Sequence, residues 1–221
     1  MTRSAFSAVA FCPHPPLLLP GIAAGTEIET QSLQSACTEA VNRLVDASRS
    51  QLLVLGAAGP ALEWQDFAPG LIGPQAARRP LPLSLHVGAW LLAGRRLPFE
   101  PTYVEIGPDG EPVTGWAELP AATGVLVMGD GSARRSVKGP GYLDERAEPF
   151  DAGVIKALTQ GAPQLLADLD LELAGQLLAA GAPVWKAAAN LLGLDSRWHA
   201  DVLYADAPFG VMYAVASWLP A

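Results

Sequence analysis

Three short segments carry the side chains best suited to chemistry. Cys12-Pro13-His14, Gly129-Asp130-Gly131-Ser132 and Asp206 together offer an imidazole, two carboxylates, a hydroxyl and a thiol. Imidazole with carboxylate is the donor set of non-haem iron, so His14 with Asp130 and Asp206 suits a divalent metal, iron or zinc, if the fold gathers them. Ser132 and Cys12 would then stand beside that site as pocket residues. Each is also at home in an ordinary role. Asp130 sits in Gly-Asp-Gly-Ser and Asp206 precedes Ala-Pro-Phe-Gly, both turn-forming contexts.

The elements that must position them are partly readable. Ser4–Pro13 reads as a strand that runs into Cys-Pro-His-Pro-Pro, where proline forbids helix. Thr26–Ser50 places Ile28, Leu33, Cys37, Val41, Leu44 and Val45 at helical spacing. Gln51–Gly56 is an uninterrupted apolar run ending in glycine, as in a strand covered on both faces. Strand, helix, strand makes a right-handed βαβ unit and a parallel sheet. Further on, Leu83–Ala93 reads as a short helix, Thr102–Ile106 as a strand and Gly107-Pro108-Asp109-Gly110 as a turn that suits a hairpin. Gly124–Gly129 reads as a second buried strand. Asp151–Gln160, Asp170–Ala180 and Pro183–Leu192 read as helices, and Asp201–Ala205 and Gly210–Trp218 as closing strands. The expectation is one α/β domain over residues 1–221, with a mostly parallel or mixed central sheet flanked by helices. Ligands of such sheets bind beyond the carboxyl ends of the strands, where all three segments fall.

Composition narrows the partners. Half the residues are hydrophobic and 16% are charged, which suits a compact globule rather than a disordered chain. The net charge of −8 argues against nucleic acid and against an anionic membrane surface, which both need a basic face. The apolar runs Gln51–Gly56, Gly124–Gly129 and Gly210–Trp218 fall short of the roughly 20 residues a spanning helix takes. Met1–Pro13 lacks the pattern of a signal peptide, so cytoplasm is the expected compartment. Cys12 and Cys37 are expected as buried thiols, and Trp64, Trp90, Trp116 and Trp218 as candidates for an oligomer interface or for the core.

Three motifs occur in order: Phe11-Cys12-Pro13-His14-Pro15-Pro16-Leu17-Leu18-Leu19-Pro20, Gly129-Asp130-Gly131-Ser132-Ala133-Arg134-Arg135, and Asp206-Ala207-Pro208-Phe209-Gly210-Val211-Met212-Tyr213. Gly139-Pro140-Gly141-Tyr142 and Phe150-Asp151 follow the second. Together they resemble the catalytic-subunit family of class III extradiol ring-cleavage dioxygenases, which also contains Memo-like proteins. The resemblance implies Fe(II) held by two His and a carboxylate, with a further His for acid–base work. On this chain it maps the first metal ligand to His14 and the carboxylate to Asp206, where the family usually has Glu. The second metal His would follow the strand Gln51–Leu55, where the chain reads Gly56-Ala57-Ala58-Gly59, and the acid–base His falls on Ala133. Open metal centres generally use about three protein ligands, and a missing general acid–base costs roughly 10²–10⁴ in rate. Ring cleavage is therefore not expected.

His199 would lie at the opposite sheet edge, His86 in a helix, and Glu63 and Asp66 in the loop after Ala58. The resulting expectation is a pseudoenzyme with a small-molecule-binding or assembly role around His14, Asp130, Ser132 and Asp206. The alternatives are an enzyme of altered chemistry, a metal-dependent oxidoreductase or hydrolase using His14 and Asp206, and a non-catalytic subunit of a homo-oligomer or of a partner's complex.

Overall fold

A computed structural model describes residues 6–19, 22, 27–68, 70–74, 79–116 and 118–221. The expected strand start at Ser4-Ala5, the helix start at Thr26 and the motif residue Pro20 lie outside them. Six strands form one mixed sheet in the order β3-β2-β4-β1-β6-β5. They are β1 (Phe6–Cys12), β2 (Gln51–Ala57), β3 (Thr102–Ile106), β4 (Thr123–Met128), β5 (Trp198–Asp206) and β6 (Tyr213–Pro220). The pairs β1–β4, β2–β4 and β2–β3 are parallel, while β6 runs antiparallel to both β1 and β5. The carboxyl ends of β1, β2, β4 and β5 therefore share one edge.

Two helical layers cover the sheet. Strand alternation sends Ala8, Ala10, Cys12, Leu52, Val54, Leu126 and Met128 to one face. There α1 (Glu27–Ala47) lays Leu33, Cys37, Val41 and Leu44 on them, and α3 (Leu83–Leu92) adds Leu85 and Val87. The four-residue α2 (Trp64–Phe67) leads towards α3, with Trp64 stacked on Trp90. Val9, Phe11, Leu53, Leu55, Val125 and Val127 face the other way. They meet α4 (Ala147–Gln160), α5 (Pro163–Ala167), α6 (Leu171–Gln176) and α7 (Ala182–Leu192). β1 and β4 are covered on both faces, which explains runs with no polar alternation.

The structure changes several expectations. The helix expected from Asp151 begins at Ala147, because Pro149 falls in the first turn, where a missing N–H costs nothing. The helix expected over Asp170–Ala180 stops at Gln176. Leu178 takes φ 57°, and Ala179 N–H bonds back to the Ala174 carbonyl, closing the helix at a position that usually takes glycine. The turn at Gly107–Gly110 returns the chain through one antiparallel bridge, Ile106 to Pro112, without a further strand. Trp218 is core: it is fully buried and donates from Nε1 to the Leu158 carbonyl at 2.8 Å. Trp64 is also buried, whereas Trp116 is exposed.

Candidate functional site

The segment after β4 crosses over the end of β1 and joins the far side of the sheet. Gly129 N–H continues the parallel ladder to the Cys12 carbonyl at 2.9 Å. Two residues later, Gly131 N–H reaches the Met212 carbonyl and Met212 N–H reaches Ser132, beside β6. Glycine is needed on both sides of Asp130. A Cβ on Gly129 would lie 2.7 Å from Gly181 Cα and 2.9 Å from the Trp185 ring nitrogen, and one on Gly131 would lie 2.4 Å from Met212 Cε. This close packing holds Asp130 directly over the end of β1.

There Asp130 meets His14. The His14 backbone N–H donates to Asp130 Oδ1 at 2.7 Å, so the side chain takes the place of the next ladder carbonyl. The His14 ring nitrogen Nδ1 lies 3.6 Å from the same oxygen. Nδ1 is buried and makes no hydrogen bond among the described residues. Burial raises the Asp130 pKa, while the His14 charge and its N–H pull it down. Tyr213 is buried close by, and its hydroxyl pKa is pushed up by burial first and by Asp130 second.

His14 also lines a cavity of about 160 Å³ on the α3 face of the sheet. Opposite it stand Ala57, Ala58, Gly59 and Pro60 from the segment leaving β2, with Pro82, Leu83 and Ser84 at the start of α3. The first N–H groups of any helix lack intrahelical partners, and Pro82 supplies no side-chain cap for them. The space thus has mainly apolar walls, and its polar features are the His14 imidazole, the Ser84 hydroxyl, which donates to the Ala57 carbonyl at 3.2 Å, and the N-terminus of a ten-residue helix.

Ser132 is turned away from this cavity into a second network. It is fully buried, donating from its backbone to Asp151 Oδ1 at 2.9 Å and from its hydroxyl to Oδ2 at 2.6 Å. Arg135 donates to the same Oδ2 at 3.2 Å and also faces Glu148. Burial raises the Asp151 pKa, opposed by the Ser132 hydrogen bonds and then by Arg135. Arg135 and Asp151 fall within the motif residues quoted above, but the sequence assigned them no role in the site. The signal was spacing: Asp151 falls on the stripe Ala147, Val154 and Leu158, so α4 had to bury a carboxylate.

The remaining candidates separate. Asp206 is exposed at the end of the edge strand β5, and its Oδ1 accepts from Ala207 N–H at 2.7 Å. β6 stands between β5 and β1, so His14 and Asp206 share an edge two strands apart. Cys12 is buried beneath α1 rather than lining the cavity, and it hydrogen-bonds the Cys37 thiol. That bond, and then burial, raise the Cys37 pKa well above its usual value. Both thiols are free. His86 is buried, donating from Nε2 to the Leu62 carbonyl at 2.7 Å, and His199 starts β5 at the opposite edge. Glu63 and Asp66 form the capping box of α2.

A centre of two His and a carboxylate does not fit this donor set. Ala57 and Ala58, which line the pocket with His14, offer no side-chain donor atom, the His14 Nδ1 faces Asp130, and Asp206 caps its own turn. Among the described residues no three His, Cys, Asp or Glu side chains are gathered so as to hold a metal. Among them, too, no helix is long and apolar enough to cross a membrane. No family model matches the chain, and no curated protein is detectably similar to it.

Proposed function

We propose that this chain binds a small molecule in the cavity beside His14, on a scaffold like that of the class III extradiol dioxygenases but without their ring-cleaving chemistry. One observation carries the reading: a buried imidazole, backed by Asp130, shares with Ala57, Ala58, Leu62 and Leu83 a mainly apolar pocket of about 160 Å³ that opens to solvent at Ala58, Gly59 and Pro60. An enclosed cavity of roughly 150 Å³ accommodates a molecule of benzene's size, so this open pocket covers a body of about that size while leaving one side to solvent. The ligand class is therefore a compact apolar body with one polar group. His14 meets that group on one side, and the N-terminus of α3 favours an acceptor or negative charge on the other.

The test pairs a filled cavity with a removed imidazole. Ala58→Leu fills the space, and His14→Ala removes the polar contact. Titrating small carboxylic acids and alcohols of about four to eight heavy atoms while following ring and amide resonances by NMR should shift His14, Ala58 and Leu83. Both variants should abolish the shifts. Shifts confined to other surfaces would refute the reading. Anaerobic incubation with Fe(II), followed by metal analysis and a catechol turnover assay, tests the excluded chemistry. Stoichiometric iron with ring cleavage would overturn it.

A second reading is favoured by the 3.6 Å approach of Asp130 to His14 Nδ1. A carboxylate on that side favours the proton on Nδ1 and leaves Nε2 as a base. Metal-free acid–base chemistry on the bound molecule would then use His14, and Asp130→Asn would lower turnover while sparing affinity.

A further inference from the structure

A second pocket, of about 190 Å³, lies at the other end of α3. Its apolar walls include Leu92 from that helix and Leu97, Phe99 and Pro101 from the segment that leads to β3. Arg95 lines it too, half-buried. The guanidinium donates from Nε to Asn42 Oδ1 at 3.1 Å and from Nη1 to the Leu91 carbonyl, so both of these partners are neutral. Burial lowers the Arg95 pKa, and among the described residues no carboxylate lies within ion-pair distance of it. A charge drawn out of water without a counter-ion is costly. Anions are not scarce: the chain has 22 Asp and Glu to 14 Lys and Arg, and Arg43, Arg135 and Arg146 each meet at least one. At Arg95 the place is left open.

The surroundings define what would fill it. Two of the five guanidinium donors are used, which leaves Nη2 and one Nη1 hydrogen, a planar fork that matches a carboxylate. Tyr103 lines the same pocket, and the Arg79 guanidinium sits 5.5 Å from its ring centre. Arg79 also has no carboxylate within ion-pair distance among the described residues. Burial pushes the Tyr103 hydroxyl up to about 12, so at neutral pH it adds no negative charge. Glu100 on the wall is exposed and acts against a second negative charge on the ligand. We propose that this pocket binds a compact monocarboxylate, its carboxylate on Arg95 and its apolar body against Leu92, Leu97 and Phe99. An enclosed space of roughly 150 Å³ holds a benzene-sized body, so an open pocket of about 190 Å³ suits an acid the size of benzoate. The site is separate from the cavity beside His14, since the two lie at opposite ends of a ten-residue helix.

Titrating benzoate into the full chain, followed by amide NMR, tests it. The Ala93, Arg95 and Tyr103 amides should shift and saturate, whereas benzyl alcohol and inorganic phosphate should leave them in place. Arg95→Gln should weaken binding about tenfold, as loss of a charge-assisted hydrogen bond does. Arg95 also caps α3, and Arg95→Lys separates the two roles. Lysine keeps a cation at the helix end but loses the fork, so the melting temperature should hold while benzoate affinity falls. Glu100→Gln removes the opposing charge and should tighten binding roughly twofold. In His14→Ala protein the same three amides should still respond, so failure of the His14 cavity as a site leaves this result standing. Absence of shifts at Arg95 up to about 10 mM benzoate, an equal response to benzyl alcohol, or unchanged affinity in both Arg95 variants would overturn the proposal.

Discussion

The buried carboxylate of Asp151 is the residue whose surroundings make the sharpest demands. Three donated hydrogen bonds, two from Ser132 and one from Arg135, satisfy a group that is fully buried. Ser132→Ala removes one of them without relieving the burial, and should cost about 1–3 kcal/mol in chemical denaturation. Arg135→Gln should act through pH. Arg135 stabilises only the ionised carboxylate, so its loss should raise the Asp151 pKa further, as read by carboxyl-carbon NMR. The sign follows from proton linkage. A carboxyl whose native pKa lies above its unfolded value favours folding below the unfolded pKa, and that contribution is lost as pH rises through the native pKa. The Arg135→Gln protein should therefore be destabilised most at neutral pH and least in acid, where Asp151 is protonated in both proteins.

At the scale of elements, the approach of Gly129 to Gly181 decides where the functional loop sits. Gly129→Ala would drive a methyl into the Gly181 backbone and the Trp185 ring. Thermal unfolding should show a loss of about 1–3 kcal/mol, the cost of overpacking, and the NMR shift of the His14 amide should move as Asp130 is displaced. This contact was invisible in the sequence, because the start of α7 meets the end of β4 only through tertiary packing. Other features were legible. Gln51–Gly56 and Gly124–Gly129 announced buried strands by their unbroken apolar runs, and the rule that parallel strands open at their carboxyl ends brought His14 and Asp130 to one edge. Cys12 was expected beside the site as a pocket residue, but it is covered by α1, and only the chain beyond Pro13 reaches the cavity. Asp206 lay beyond such reasoning. The order of strands across the sheet is not written in their order along the chain, and that order leaves Asp206 on the exposed rim.

For the whole molecule, the position of β1 has a consequence for biosynthesis. It lies between β4 and β6, so the first of the described strands is completed by the last. While translation proceeds, β1 and β4 can pair, yet the other side of β1 keeps a row of open backbone groups until residues 213–220 arrive. An uncapped strand this apolar is a template for the wrong neighbour. A chain ended at Asp206 should accumulate as aggregate, and supplying the 207–221 peptide during refolding should return it to the supernatant, as measured by centrifugation. Nascent copies would depend on chaperone cover until residues 213–220 leave the ribosome, so errors in that segment should harm yield more than equal errors in the surface helices.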